Sequence, residues 1–247
     1  MTPASIPWDL AAILGVLAIL VPWRGRVRVR ELLARDSLRP ADRLSIYAST
    51  IAFQWVAVTI TAWRCYVRGW DPVSLGLSLR QPLVAIGLGC VLAALLAMLQ
   101  IISLQQFAKA PEQRSGIFVE LTRKLMPQTL MEIFPFIALV CTVSLCEEFL
   151  YRGFAFAVFE RAVSGFGQRV SVAAGILCSS VLFGVAHLYQ GRRGVTSTSV
   201  LGALFAGTRA WSGSLAPGIL AHGVVDLVAG LIAPRVFFKA SDGSTSN

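Results

Sequence analysis

The sequence predicts an all-α fold, a polytopic bundle of about seven transmembrane helices. Of the 247 residues, 55% are hydrophobic and 14% are charged, and the mean hydropathy is +0.68. Soluble domains carry about 25% charged residues, and their apolar residues are not gathered into runs of about 20 as they are here. So much apolar surface is compatible with a bilayer but would leave large exposed patches on a soluble protein.

Seven apolar segments are long enough to be considered as spans, although the first is short and contains Asp9 and Pro22. A stretch at 153–163 is too short to cross a bilayer, and we expect it to be either an interfacial helix or a continuation of the fourth span. The predicted spans are 6–23, 45–63, 83–103, 130–151, 170–190, 196–214 and 216–237. We divide the chain into a scaffold at 1–129, a core at 130–237 and a polar, disordered tail at 238–247.

The net charge of +9 comes from basic residues that lie between the apolar runs. They form no stripe with interleaved aromatic residues, so we expect contact with lipid headgroups and no nucleic-acid partner. Placing the N-terminus outside puts 15 of the 22 basic residues on the cytoplasmic side, and the expected location is the plasma (inner) membrane. These 15 are Arg24, Arg26, Arg28, Arg30, Arg35, Arg39, Arg43, Lys109, Arg114, Arg123, Lys124, Arg192, Arg193, Arg235 and Lys239.

Several ionisable residues fall inside or against the apolar segments of the core. A charged side chain that faces lipid at mid-bilayer costs about 2.5–3.5 kcal/mol on insertion scales. We therefore expect these side chains to face the interior of the bundle and to contact one another. They are Glu147, Glu148, Arg152, His187, His222 and Asp226, and they include the only two histidines of the chain.

The spacing of the acidic residues assigns them different surroundings. Glu148 and Arg152 are four residues apart, with the acid first, which favours a helical ion pair. Glu147 points about 100° away around the helix. One carboxylate is therefore tied to Arg152 while the other is free to face a cavity.

The two histidines each have a helical neighbour one turn away. Phe183 precedes His187 by four residues and can fix the orientation of its ring. Asp226 follows His222 by four residues and can orient that ring in the same way. Glycines next to each motif, such as Gly184, allow the helices to approach closely.

Each motif taken alone has another explanation. The Glu–Arg pair could be structural, and an intramembrane histidine or aspartate could serve helix packing. A proton relay in an ion-coupled transporter would also use such residues. Transporters of that kind are built from paired, broken helices, and no such pair is evident in this sequence.

In this order the motifs resemble the CAAX-protease and bacteriocin-processing (Abi) family of intramembrane endopeptidases. The relevant segments are E147-E148-F-L-Y-R152-G153, F183-G-V-A-H187 and H222-G-V-V-D226. The family includes prenyl-protein proteases and proteins similar to the lysostaphin resistance protein. The resemblance covers about 130–237 and implies a four-helix catalytic core.

The resemblance also implies residue roles. Glu147 would be the general base that takes a proton from water, and His187 would help to hold that water. Glu148 and Arg152 would form a supporting pair.

The third motif departs from some members of the family, which have Asn where this chain has Asp226. His222 and the residue at 226 would stabilise the oxyanion, but an ionised aspartate cannot donate a hydrogen bond. We therefore expect Asp226 to orient His222, which becomes the donor. Phe183 is assigned to substrate binding.

Metal dependence is open from the sequence. Zinc could be held by Glu148, His187 and His222 with a fourth position left for water. Arg152 is an unfavourable neighbour for a divalent cation, so we expect no cofactor, with Zn²⁺ as the alternative.

The expected function is hydrolysis of a peptide bond in a membrane-associated or lipidated protein or peptide, near its C-terminus. Glu147-activated water would attack the carbonyl with assistance from histidine. The alternative is a non-enzymatic membrane immunity or scaffold protein that retains the fold.

Overall fold

The described part of the chain folds as a bundle of eight helices. The computed structural model describes residues 6–78, 81–109 and 116–238, and in these ranges the only β-type pairing is a bridge between Leu77 and Ser214. In chain order the helices are α1 (Trp8–Leu33), α2 (Pro40–Val67), α3 (Pro82–Lys109), α4 (Ile117–Leu125), α5 (Leu130–Ala162), α6 (Gln168–Ala186), α7 (Gly191–Ser212) and α8 (Ala216–Phe238). The all-α fold class is confirmed.

Six of these helices are long and apolar enough to cross a membrane: α1, α2, α3, α5, α6 and α8. The chain is therefore a multi-pass membrane protein, and six apolar spans replace the seven that the sequence predicts. The predicted span at 196–214 is wrong by this criterion. Its helix, α7, is long enough but too polar, because it contains Arg192, Arg193, Arg209 and four consecutive hydroxyl residues at 196–199.

Helix α7 nevertheless packs directly on α6 inside the bundle. A Cβ atom on Gly184 would lie 2.9 Å from the carbonyl oxygen of Val195, and one on Gly202 would lie 3.2 Å from the Cα of Ser180. Because later residues of α7 meet earlier residues of α6, the two helices run antiparallel. Glycine allows this backbone contact, as the sequence predicts for Gly184.

Helix α1 is longer than the predicted span at 6–23. It continues to Leu33 through an arginine-rich segment that the sequence analysis places in a loop, so only 34–39 connect α1 to α2. Asp9 is 6% exposed near the start of α1 and forms ion pairs with Arg64 of α2 and with Arg68, the residue that follows α2. These ion pairs compensate the charge of Asp9, the acidic residue within the first predicted span.

At the other end of α1, basic side chains join the elements to one another. Arg43 is predicted to lie in a loop, but it is 2% exposed and its Nη2 lies 2.8 Å from Glu132 Oε1. Glu132 also accepts the backbone N–H of Thr129 at the start of α5, at 3.0 Å. Lys124 donates to the last carbonyl oxygens of α1 and its connection, those of Leu32, Leu33 and Arg35.

Helix α5 carries the first motif and runs without a break to Ala162. The stretch at 153–163 is thus a continuation of the fourth span, which confirms the second of the two alternatives. Residues Glu148–Ala155 wind as a π-helix, and all eight are buried. π-Helical turns are rare in proteins, and those that occur are often found at functional sites.

Some predictions lie outside what the structure tests. The polar tail predicted at 238–247 lies outside the described residues, apart from Phe238 at the end of α8. The division into a scaffold at 1–129 and a core at 130–237 stays a prediction, as does the orientation in the membrane.

Candidate active site

Arg152 lies at the centre of the site and is 0% exposed. Its Nη1 is 3.1 Å from Glu148 Oε1, and its Cζ lies 4.0 Å from the centroid of the Phe183 ring and 5.4 Å from that of Phe205. Its guanidinium nitrogens make no hydrogen bond to any described residue. The charge is therefore compensated by one carboxylate and two aromatic faces.

Glu148 is held from two sides. Its Oε1 contacts Arg152 and also lies 3.0 Å from Nδ1 of His222. The carboxylate is 1% exposed, and a Cβ atom on Gly218 of α8 would lie 2.8 Å from its Oε2. Glycine at 218 is what lets α8 approach this carboxylate.

His222 sits between carboxylates on both sides of its ring. Nδ1 faces Glu148, whereas Nε2 lies 3.6 Å from Asp226 Oδ2 and 4.0 Å from Glu147 Oε2. The ring stacks on Phe205 with centroids 5.7 Å apart. Asp226 therefore lies beside the ring, as predicted from the spacing, and its orienting role stays a prediction. The shorter contact is the hydrogen bond of 3.0 Å that Nδ1–H donates to Glu148.

Glu147 faces differently from its neighbour, as the 100° separation predicts. Its Oε1 accepts a hydrogen bond of 3.0 Å from Nε2 of Gln54 on α2. Its Oε2 is buried and makes no hydrogen bond within the described part of the chain. Glu147 thus combines one anchored oxygen with one that is available for chemistry.

His187 follows the last residue of α6. Its Nδ1 lies 2.8 Å from the carbonyl oxygen of Phe183. A carbonyl only accepts, so Nδ1 must donate, and Nε2 of the neutral ring then carries a lone pair. The backbone carbonyl of Phe183 therefore holds the His187 ring in one orientation.

Phe183 connects the parts of the site. Its ring is 3% exposed, and its centroid lies 4.6 Å from that of His187 and 6.1 Å from that of His222. The same ring covers Arg152. Both imidazoles therefore meet around one aromatic side chain, and its burial favours a positioning role over direct contact with a substrate.

Asp226 is partly open, with a side chain that is 35% exposed. It lies on the wall of a cavity of about 380 Å³ that is bounded by α1, α2, α5 and α8. The structure therefore brings all six predicted ionisable residues and Phe183 into one region that borders this cavity.

Three site residues were missed by the sequence analysis. Gln54 and Phe205 belong to no motif, and Gln54 is 93 residues from its partner Glu147. Tyr189 follows His187 by two residues, and its ring centroid lies 5.7 Å from that of His187. Burial together with the nearby charges of Glu147 and Asp226 raises the pKa of Tyr189 to about 12, so its hydroxyl keeps its proton at neutral pH.

The residues of the zinc alternative do not converge on one point. Glu148 Oε1 and His222 Nδ1 face each other at hydrogen-bonding distance, and Arg152 shares that oxygen. Within the ranges the structure describes, no three His, Cys, Asp or Glu side chains are grouped to hold an ion. Glu148, His187 and His222 are therefore not arranged to hold a zinc ion together.

Fold and site together define a multi-pass helical membrane protein with a buried cluster of carboxylates and imidazoles. Residues 129–228 match the family model of the Rce1-like type II CAAX prenyl endopeptidases, so this part of the chain is similar to that family. The match confirms the resemblance drawn from the motifs and supports intramembrane protease activity in general. No curated protein and no solved structure matches the chain.

Proposed function

We propose that this protein is an endopeptidase that hydrolyses a peptide bond of a membrane-associated or lipidated protein or peptide, using water activated by Glu147. The proposal depends above all on Glu147 Oε2. This carboxylate oxygen is buried and unbonded among the described residues, and it lies 4.0 Å from Nε2 of His222. Buried carboxylate oxygens normally have partners, and a reacting water is the partner that best explains this one.

In the first step Glu147 takes a proton from the attacking water. The hydrogen bond from Gln54 fixes the carboxylate, so that its other oxygen keeps one direction. Nε2 of His187 accepts the second hydrogen of the water and helps to hold it. The hydroxide oxygen then forms a bond to the carbonyl carbon of the substrate.

In the second step the carbonyl oxygen carries a negative charge that needs a donor. Nε2–H of His222 is the proposed donor, while Nδ1–H donates to Glu148 and keeps the ring in place. His222 acts in this step as an imidazolium, with a proton on each ring nitrogen. Glu147 then passes its proton to the leaving nitrogen as the C–N bond breaks. The products are a carboxylic acid and an amine, and Glu147 is again ionised.

Arg152 and Phe183 are proposed to act by positioning. Arg152 neutralises Glu148, which leaves Glu147 as the base. Phe183 supports both imidazoles and covers the guanidinium. Asp226 borders both His222 and the cavity, where it can face the substrate.

We also propose that hydrolysis needs no metal ion. The support is the contact of Glu148 with both Arg152 and His222, which removes one of the ligands that zinc would use. Metal content of the purified protein and cleavage after chelation test this. Stoichiometric zinc whose removal abolishes cleavage, with activity restored by zinc, would contradict it.

The test of function is a comparison of protein termini in membranes from cells that express wild type or Glu147→Gln. Wild type should generate new C-termini that are absent with Glu147→Gln and with His187→Ala. Glu31→Gln, which changes an exposed glutamate on α1, serves as the matched control and should behave as wild type.

The same cells separate the protease from an immunity or scaffold protein. With expression matched, a non-enzymatic protein would keep its phenotype in Glu147→Gln. Termini that do not differ between wild type and Glu147→Gln, together with an unchanged phenotype, would contradict proteolysis.

A further inference from the structure

The second half of α1 carries arginine at every other position: Arg24, Arg26, Arg28 and Arg30. With about 100° per residue, Arg24 and Arg28 share one face of the helix, and Arg26 and Arg30 share another. The structure follows this division. Arg24 and Arg28 are half-buried on the wall of the cavity, whereas Arg26 and Arg30 are exposed.

The cavity is largely apolar apart from its charged groups. Its walls include Val21, Ile46, Leu139 and Val143, and its charged lining residues are Arg24, Arg28 and Asp226. A volume of about 380 Å³ accommodates a short peptide or a comparable part of a larger ligand. An apolar cavity with two cations on one wall suits a ligand that is apolar along its length and anionic at one end.

Both guanidinium groups are held by neutral partners. Cζ of Arg24 lies 4.2 Å from the centroid of the Phe53 ring. Nη2 of Arg28 donates to Ser49 Oγ at 2.6 Å and to the carbonyl oxygen of Ile46 at 3.3 Å. No carboxylate of the described residues forms an ion pair with either arginine. Asp226 is the one carboxylate among the described lining residues, and Glu31 is a nearby charge for Arg28 without forming an ion pair with it. Two oriented cations without an ion-pair partner favour an anionic group on the ligand.

The same cavity borders the candidate site through Asp226 and Tyr189. Asp226, on its wall, lies 3.6 Å from Nε2 of His222. Tyr189, also on the wall, packs on α1 beside Arg24, because a Cβ atom on the next residue, Gly25, would lie 3.2 Å from its ring. A ligand in the cavity can therefore contact Asp226, which is next to His222 of the candidate site.

We propose that Arg24 and Arg28 bind the free C-terminal carboxylate of the peptide substrate and so select substrates cut near their C-terminus. This inference rests on the proposed protease function. Guanidinium groups bind carboxylates through paired hydrogen bonds, which gives direction as well as charge. Lipid phosphates are better matched to Arg26 and Arg30, which lie on the exposed face.

The test measures binding rather than cleavage, so that it is separate from the test of the proposed function. The probe is a fluorescent farnesylated tetrapeptide, with either a free C-terminal carboxylate or a carboxamide. Full-length protein with Glu147→Gln, in nanodiscs of neutral lipid, prevents turnover. We expect the carboxylate peptide to bind about tenfold or more tightly than the amide.

Two matched double variants locate the effect. Arg24→Gln with Arg28→Gln should remove the preference by weakening only the carboxylate peptide. Arg26→Gln with Arg30→Gln removes the same charge from the exposed face and should keep the preference. If the first pair unfolds, Arg28→Lys keeps the charge but loses the paired geometry, and the preference should then fall severalfold.

Equal binding of the two peptides, including no binding of either, would overturn the assignment, while proteolysis would still be judged from the protein termini. If both double variants lost the same amount of affinity for the carboxylate peptide, the effect would be general electrostatic attraction. This result would also overturn the assignment. Phosphatidylglycerol in the nanodisc should leave the preference intact. If phosphatidylglycerol abolished the preference for the carboxylate peptide, the cavity would be a binding site for a lipid headgroup, and the proposal would be overturned.

Discussion

Replacing Glu147 and Glu148 one at a time by glutamine should give opposite outcomes, although the two residues are adjacent. Glu148 is 1% exposed and its partner Arg152 is 0% exposed. Removing one partner of such a pair leaves an uncompensated buried charge, so Glu148→Gln should cost about 3–5 kcal/mol of unfolding free energy. Glu147→Gln keeps an oxygen that can accept from Gln54, and its cost should be about 1 kcal/mol or less.

The purified protein is unfolded in mixed micelles by raising the fraction of denaturing detergent. Circular dichroism monitors the loss of helix. Glu147→Gln should unfold near wild type but cleave nothing, whereas Glu148→Gln should unfold early. The double variant Glu148→Gln with Arg152→Met removes both charges and should recover part of the lost stability. Equal stability losses from the two single variants would refute the division of roles between the carboxylates.

Three further predictions concern the scaffold. Lys124→Met should cost about 1.5–3 kcal/mol in the same unfolding assay, because it removes charge-assisted hydrogen bonds to three carbonyl oxygens at the end of α1; an unchanged midpoint would contradict this. Gly184→Ala should cost about 1–3 kcal/mol by forcing α6 away from α7, and adding Ser199→Gly should recover only part, because the carbonyl of Val195 remains 2.9 Å from the new Cβ. The pKa of Tyr189 is raised to about 12, so folding favours the neutral phenol. The stability it contributes is complete below pH about 10 and is lost as the pH rises to 12, so wild type should lose stability more steeply than Tyr189→Phe across this range, and parallel curves would contradict it.

The site could be predicted from the sequence because its ionisable residues stand out against apolar surroundings. Their cost in lipid implies that they meet, and helical spacing pairs Glu148 with Arg152. The contacts between helices could not be predicted in the same way. Nothing in the spacing indicates that Glu148, on α5, accepts a hydrogen bond from His222 on α8. The i,i+4 relation indicates only the neighbour on the same helix, Asp226.

The fold was predicted well where hydropathy and helix length agree, and less well where they conflict. Arginines at 24–30 lower the hydropathy and suggest a loop, yet their spacing of four along two faces fits a helix. In α7 the conflict is reversed, because a well-formed helix packs against α6 although its hydroxyl and arginine residues make it polar. Hydropathy reports contact with lipid, and it therefore fails for helices or helix ends that face protein or the interface.

Two glutamates on α5, the buried Glu132 and the partly buried Glu147, show how a structural carboxylate differs from one suited to catalysis. Glu132 uses both oxygens: Oε1 binds Arg43, and Oε2 accepts the N–H groups of Gln128 and Thr129. Glu147 binds only through Oε1, and its Oε2 has no hydrogen bond among the described residues. Both carboxylates bear the cost of burial, but only that of Glu132 is offset by a full set of partners. An acid that the fold keeps incompletely bonded, beside an imidazole and a cavity, has a role that packing does not explain.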